Sequence, residues 1–271
     1  MKNEFKPDKR KKFGQHFLNN ELIAEEIVSF ADIKKDETVL EIGPGKGILT
    51  SILLKRAHKV IAVEIDDALV KYLKKRFSKA QNLSLIHQDF LQFELPNLNG
   101  KIKVIGNLPY NIGVRIIKFV INHKDRFSKI IFMLQKEVAE RLAAPPGIKE
   151  YGSLSIFTQL HYDLEILTHI PPDSFSPPPK VFSTLIKMIP KKGSVRQLDN
   201  PELFQKVVKA AFSQRRKKLK NNLRCFSIEQ NALKAISQET GIDLDVRGEM
   251  LSIKEFISLT RSINKVTKQN H

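Results

Sequence analysis

Gly106-Asn107-Leu108-Pro109-Tyr110-Asn111 sets an amide, a carbonyl next to a proline and an aromatic ring side by side. An amine conjugated to an aromatic ring, such as N6 of adenine, is a poor nucleophile because its lone pair is delocalised. No strong base is needed to activate it. Two acceptors aimed at its protons favour the pyramidal amine that forms in the transition state. The Asn107 side-chain carbonyl and the Leu108 backbone carbonyl suit that role, since Pro109 biases Leu108 toward an extended conformation. Tyr110 offers a flat face on which an extruded base can stack. The same residues could form a turn anywhere, so their meaning depends on what precedes them.

What precedes them is Glu41-Ile-Gly-Pro-Gly-Lys-Gly47, between a strand signal and a helix signal. Glycines there let a ligand approach the backbone and leave helix N-terminal amides available. A dinucleotide fingerprint wants its third glycine at the position of Ile48, one residue later. A P-loop needs a Gly-Lys-Ser/Thr ending, which is missing. Glu41, Glu64 and Asp89 fall at the ends of three successive strand signals, the edge where open α/β sheets bind ligands. Carboxylates there also cap helices, and Asp66 and Asp67 read as caps of this kind.

The elements that must position these residues alternate. Thr38–Ile42, Lys59–Val63, Leu83–Ile86, Lys103–Ile105 and Lys129–Leu134 are short, β-branched runs, as expected of strands buried on both faces. Between them lie helix-period segments such as Asp67 to Phe77, with Leu69, Val70, Leu73 and Phe77 on one face. The pattern predicts an α/β fold with a mostly parallel, doubly wound sheet over residues 1–190. Leu164–Ile170 and Ser183–Ile189 add one or two strands, at least one of them a candidate for antiparallel pairing. The polar stretch Lys191 to Asn200 marks a boundary, and 191–271 reads as a small all-α domain. There Leu203, Phe204, Val207, Val208, Ala211 and Phe212 form a stripe, Gly241 stops a helix, and Ser252 with Glu255 caps a last helix reaching about Ile263.

Lys and Arg number 46 against 29 Asp and Glu, a net charge of +17, which implies a polyanionic partner such as nucleic acid. Arg215, Arg216, Lys217, Lys218 and Lys220 are the expected phosphate-contacting run, with Lys9 to Lys12 of a basic arm, residues 1–18, as a second. No apolar stretch is long enough for a membrane span and no secretory leader is visible, so a cytoplasmic protein is expected. The single cysteine, Cys225, allows no internal disulfide and no thiolate metal site, and is read as structural.

The glycine loop with its leading acid resembles motif I of the Rossmann-like class I S-adenosylmethionine methyltransferases, and Asn107-Leu108-Pro109-Tyr110 resembles the Asn-x-Pro-Tyr signature of amino-directed nucleic-acid methyltransferases. Four further segments narrow the resemblance: Phe13-Gly-Gln-His-Phe-Leu18, Gln135 to Leu142, Phe175-Ser-Pro-Pro-Pro-Lys-Val181 and Ala211 to Leu219. Together they resemble the adenine dimethyltransferases of small-subunit ribosomal RNA, over about Phe13 to Leu259. That resemblance implies a seven-stranded sheet and transfer of methyl groups from S-adenosylmethionine, leaving S-adenosylhomocysteine, to N6 of two adjacent adenosines in the 3′-terminal hairpin loop. It implies an assembling small subunit as substrate, a role in its biogenesis, and action as a monomer. Carried over by position, His16, Leu18, Gly43, Gly45, Glu64, Asp89 and Asn107 form the cofactor pocket. Glu64 would take the ribose hydroxyls and Asp89 the cofactor's adenine amine, while Phe175 would be a second stacking face opposite Tyr110. His16 stands where Asn is common in this family. Two rivals are the related large-subunit rRNA methyltransferases linked to macrolide resistance and a non-catalytic assembly or transcription factor of methyltransferase ancestry. The Phe175 and Gln214 to Lys218 segments favour the small-subunit type over the first, and the intact glycines, acids and Asn107 argue against the second.

Overall fold

The computed structural model describes residues 15–97, 100–193 and 198–269. Lys9 to Lys12, with Phe13 and Gly14 of the first family segment, lie outside the described residues. The chain divides into two compact units, one of 1–139 with 163–190 and one of 140–162 with 191–271. The second unit therefore takes in residues 140–162, on the N-terminal side of the boundary expected after 190.

The first unit carries a seven-stranded sheet. Its strands are β2 (Thr38–Ile42), β3 (Lys59–Glu64), β4 (Leu83–His87), β5 (Ile102–Asn107), β6 (Phe127–Gln135), β7 (Tyr162–Ile170) and β9 (Ser183–Pro190), in the order β4-β3-β2-β5-β6-β9-β7. A separate antiparallel pair joins β1 (Phe17–Leu18) to β8 (Phe175–Ser176). The pairs β2/β3, β2/β5, β3/β4 and β5/β6 are parallel, and β9 runs antiparallel to β6. Each strand predicted from the apolar runs is present: Thr38–Ile42 has the expected bounds, and the others run one to three residues longer. The class I methyltransferase architecture expected from the motifs is the one observed. The strands fail to alternate for a physical reason: Val39 to Ile42 are all buried, as are Val60 to Val63, because helices cover both faces.

Helices form where the apolar period is 3.6. Helix α1 (Ile48–Arg56) starts on Gly47, at φ 77°. Helix α2 (Asp67–Arg76) buries Leu69, Val70 and Leu73, starts on Asp66, whose carboxylate accepts from the amides of Ala68 and Leu69, and ends at Phe77. A Cβ on Gly47 would stand 2.6 Å from Phe77 Cε2 and 2.8 Å from Leu73 Cδ2. The third glycine of the loop is thus fixed by a left-handed turn and by close packing on α2.

The second unit is helical, with α3 (Ser153–His161), α4 (Pro201–Ala211), α5 (Gln230–Thr240) and α6 (Ile253–Gln269) around a core that includes Tyr151, Phe204, Ile236 and Phe256. Gly241, at φ 70°, ends α5 as expected. Ser252 and Glu255 form the reciprocal cap of α6: Glu255 N donates to Ser252 Oγ at 3.2 Å and Ser252 N to Glu255 Oε2 at 2.7 Å. That helix runs to Gln269, past the Ile263 expected. Cys225 is a free cysteine, exposed on the turn Leu223–Phe226, with its Sγ 3.5 Å from Asn222 O.

Candidate active site

Sheet register decides what meets at the carboxyl edge. Ile42 lies level with Val63 on one side and Gly106 on the other, and Glu64 pairs with His87. The residues that follow, Gly43, Glu64 and Ile65, Gln88 and Asp89, and Asn107 onward, are therefore delivered to one rim. Strand order reverses between β2 and β5, so the rim sits at the switch point where such sheets open a crevice. A cavity lies there, and His16, Leu18, Gly43, Gly45, Glu64, Asp89 and Asn107 all line it, together with Leu108, Pro109 and Tyr110.

Glu64 is 3% exposed. Its Oε2 accepts from Gly45 N at 3.1 Å, and its Oε1 accepts from Ile65 N and Asp66 N, each at 3.0 Å. Burial pushes its pKa up, an effect that those three amides offset only in part. A carboxylate offers about four acceptor positions, so three amides leave room on Oε2 for one more donor. Gly45, at φ 58°, keeps the loop close to this carboxylate, and a Cβ there would meet Phe17 Cδ1 at 3.0 Å. Asp89 both lines the cavity and caps the 3-10 turn Phe90–Gln92, accepting from Leu91 N at 2.9 Å. The capping reading and the ligand reading therefore coexist in one residue.

Glu41, the leading acid of the loop, is different. It is 1% exposed, takes a hydrogen bond from Thr50 Oγ1 at 2.7 Å, and has no partner for Oε1 among the described residues. Burial pushes its carboxyl up to about 8, with the nearby Glu64 charge adding to the effect. It does not line the cavity; it ties β2 to α1 beneath the glycine loop.

Asn107 Nδ2 donates to the His16 carbonyl at 2.9 Å. A carbonyl can only accept, so that bond fixes the amide nitrogen on the side of β1 and leaves Oδ1 as the uncommitted end. Leu108 N donates to Met133 O at 3.1 Å, tying the turn to β6. His16 Nδ1 bonds to Pro177 O at 2.8 Å, and its ring lies 5.2 Å from that of Tyr110 at 34°.

Phe175 is not brought to this rim. It is 3% exposed within an apolar cluster that includes Leu18, Leu49 and Met133, and it does not line the cavity. Leu18 and Phe175 are register partners across β1/β8 and both belong to that cluster, but of the two only Leu18 also lines the cavity. The ring beside Tyr110 is that of His16. The cavity also takes in residues the motifs did not single out, among them Ile65, 41% exposed, and Phe90. Ile65 was visible as the lone apolar residue in Glu64-Ile65-Asp66-Asp67; Phe90 gave no separate signal.

The basic run of the second unit is uneven. Arg215 donates to the carbonyls of Lys149 and Tyr151 and to Glu249 at 2.8 Å. Lys218 and Lys220 both pair with Asp245, at 3.3 and 2.5 Å. Arg216 and Lys217 are exposed, and their side chains have no hydrogen bond or ion pair among the described residues.

Comparison with known proteins adds to this geometry. The family model for ribosomal RNA adenine dimethylase matches residues 6–265. Ribosomal RNA small subunit methyltransferase A of Francisella tularensis subsp. novicida is 40% identical over 265 residues, covering 96% of this chain and all of its own. A dimethyladenosine transferase from Plasmodium falciparum superposes with a TM-score of 0.78 at 29% identity, over 92% of this chain and 98% of its own. The 23S rRNA methyltransferase ErmE superposes at 0.72 with 23% identity, over 92% and 99%, a likeness of fold alone.

Proposed function

The chain belongs to the ribosomal RNA adenine dimethylase family, and from that premise we propose that it dimethylates N6 of two adjacent adenosines in the 3′-terminal hairpin loop of small-subunit rRNA. The methyl donor is S-adenosylmethionine, which supplies an electrophilic methyl group on a sulfonium sulfur. The rim residues fit that cofactor: Oε2 of Glu64 has an acceptor position for a ribose hydroxyl, Asp89 stands just past the end of β4 beside the buried Phe90, and Gly43 leaves the backbone open. A second ribose hydroxyl would have to displace one of the three amides already on Glu64.

The chain's own part in the transfer is to hold the target amine. Asn107 Oδ1 and the Leu108 carbonyl accept the two N6 protons, which pulls the amine toward the pyramidal geometry of the transition state. Tyr110 supplies the stacking face. The observation that carries this reading is the Asn107 amide itself, anchored through nitrogen to His16 at a cavity that Gly43 and Glu64 also line. Its oxygen needs no reorganisation when substrate arrives. Exposed Arg216 and Lys217, with the +17 net charge, supply phosphate-binding groups. We place the work in the cytoplasm, on an assembling subunit, by a monomer. No helix among the described residues is long and apolar enough to cross a membrane.

The test is incubation with undermethylated small subunits and S-adenosylmethionine, followed by mass spectrometry of the digested rRNA. N6,N6-dimethyladenosine at two adjacent positions is the expected product. Product found only when large-subunit rRNA is offered would overturn the reading.

A further inference from the structure

The aromatic wall of the cavity is held from behind. Tyr110 ends the Asn107-Leu108-Pro109-Tyr110 turn, and its hydroxyl stands 2.9 Å from Ser183 Oγ. Ser183 is the first residue of β9, fully buried, and the register partner of Gln135 at the end of β6. Because β9 runs against β6, its N-terminus arrives level with the carboxyl ends of β5 and β6. An antiparallel strand thereby delivers a side chain to a rim otherwise built by parallel strands. The backbone there is fixed further, since Lys136 N donates to Phe182 O at 3.0 Å.

Ser183 does not line the cavity. It reaches the site only through the phenol, where the buried Ser183 hydroxyl and the half-buried Tyr110 hydroxyl satisfy each other. Burial raises the Tyr110 pKa, so the phenol keeps its proton and its capacity to donate. A tyrosine ring hinged only at Cβ can swing; one tied at its far end as well has its long axis set.

Resting on the reaction proposed above, we propose that Ser183 is a positioning residue for methyl transfer: its hydroxyl fixes where the Tyr110 ring, on which the target adenine stacks, stands in the site. Stacking strength and reach both depend on that position, and a small misplacement of the base moves its N6 off the line of attack. The His16 ring meets Tyr110 from another side, but it enters from β1, whereas Ser183 belongs to the sheet.

Ser183→Ala, Ser183→Thr, Tyr110→Phe and the Ser183→Ala/Tyr110→Phe double variant test it, with methyl transfer to undermethylated small subunits under single turnover and S-adenosylmethionine affinity by calorimetry. Each of Ser183→Ala and Tyr110→Phe is expected to lower the transfer rate roughly 3- to 10-fold, the net worth of one neutral hydrogen bond, with cofactor affinity unchanged. Ser183→Thr restores the rate. In the Tyr110→Phe background, Ser183→Ala adds no further loss. A full-rate Ser183→Ala enzyme, equal losses in both backgrounds, or a loss confined to cofactor affinity each overturns the proposal. Should Ser183→Ala unfold, Tyr110→Phe breaks the same bond from the more exposed side, and its activity decides. Wild-type protein that transfers nothing sinks the reaction itself, an outcome distinct from a Ser183 variant as fast as wild type.

Discussion

The rim of the first unit and the basic run of the second were both singled out by sequence, yet they are built in opposite ways. At the rim, internal hydrogen bonds hold functional groups from one side and leave the other side free: Asn107 is gripped by its nitrogen, Tyr110 by its hydroxyl, and Glu64 by three amides. In the basic run, the internal partners consume the charges themselves, on Arg215, Lys218 and Lys220. A motif defined by order and spacing survives folding as a site. A motif defined by charge alone must first be cleared of the residues the fold uses for itself.

The sharpest way to break that contrast is at Asn107. Asn107→Ala removes an acceptor for the amine protons and also the tie to His16, and the expected result is a loss of about 10²- to 10³-fold in the rate of methyl transfer. Cofactor affinity by calorimetry should fall far less than the transfer rate, because Glu64, Gly45 and Asp89 are untouched while Asn107 is only one wall of the pocket. A variant that transfers methyl groups at the parent rate would mean the rim is a scaffold and no more.

Next comes the carboxylate beneath the loop. Glu41 is neutral when the pH lies below about 8, whereas in an unfolded chain it ionises near 4.5. The native state therefore binds more protons between those values, and stability falls as pH rises from 4.5 to about 8. Glu41→Gln cannot ionise, so it should flatten that dependence and gain on the parent between pH 4.5 and 8 by up to about 5 kcal/mol. Denaturant titrations at the acidic and alkaline ends of that window would measure it. A pH dependence identical in parent and variant would show that Glu41 stays charged in the folded protein, paired in some way its surroundings do not suggest.

How much of this was legible in the sequence follows the same division. The parallel strands were readable because burial on both faces leaves continuous β-branched runs, and the caps at Asp66 and Ser252 because short polar side chains satisfy orphan amides at fixed offsets. The glycine loop was readable because Gly43, Gly45 and Gly47 all take positive φ, a demand few other residues meet. Phe175 was misplaced because its side depends on the β1/β8 register, a pairing between residues far apart in the chain that no local pattern reports. The pairing of Ser183 with Tyr110 was hidden for the same reason, since it needs the antiparallel course of β9. Assignment of 140–162 to the helical unit depends on tertiary packing, as in the Tyr151 hydroxyl donating to Leu251 O at 3.0 Å.

The basic run offers the next test, because its two halves should respond to different measurements. Arg215→Ala strips hydrogen bonds from two carbonyls and the nearer of two cationic partners from Glu249, so it should lower the stability of the second unit by about 1–2 kcal/mol. Its effect on RNA affinity should be secondary to that destabilisation. An Arg215→Ala protein that melts like the parent but binds rRNA poorly would move Arg215 to the RNA-contacting half.

Arg216→Ala/Lys217→Ala should do the reverse. Neither side chain holds anything in the described fold, so the melting transition should not move. Every phosphate that one of these cations neutralises steepens the fall of log affinity with log salt by roughly 0.7 to 0.9, so removing the pair should flatten that slope by about 1.4 to 1.8. The absolute weakening is therefore largest at low salt and shrinks as salt rises, whereas a folding defect would weaken binding at every salt concentration alike. Should the slope be unchanged while Lys218→Ala/Lys220→Ala alters it, Asp245 must release its lysines to RNA on binding. The ion pairs of the free protein would then be a resting arrangement of the same cationic surface, and the contrast with the rim would narrow to one of timing.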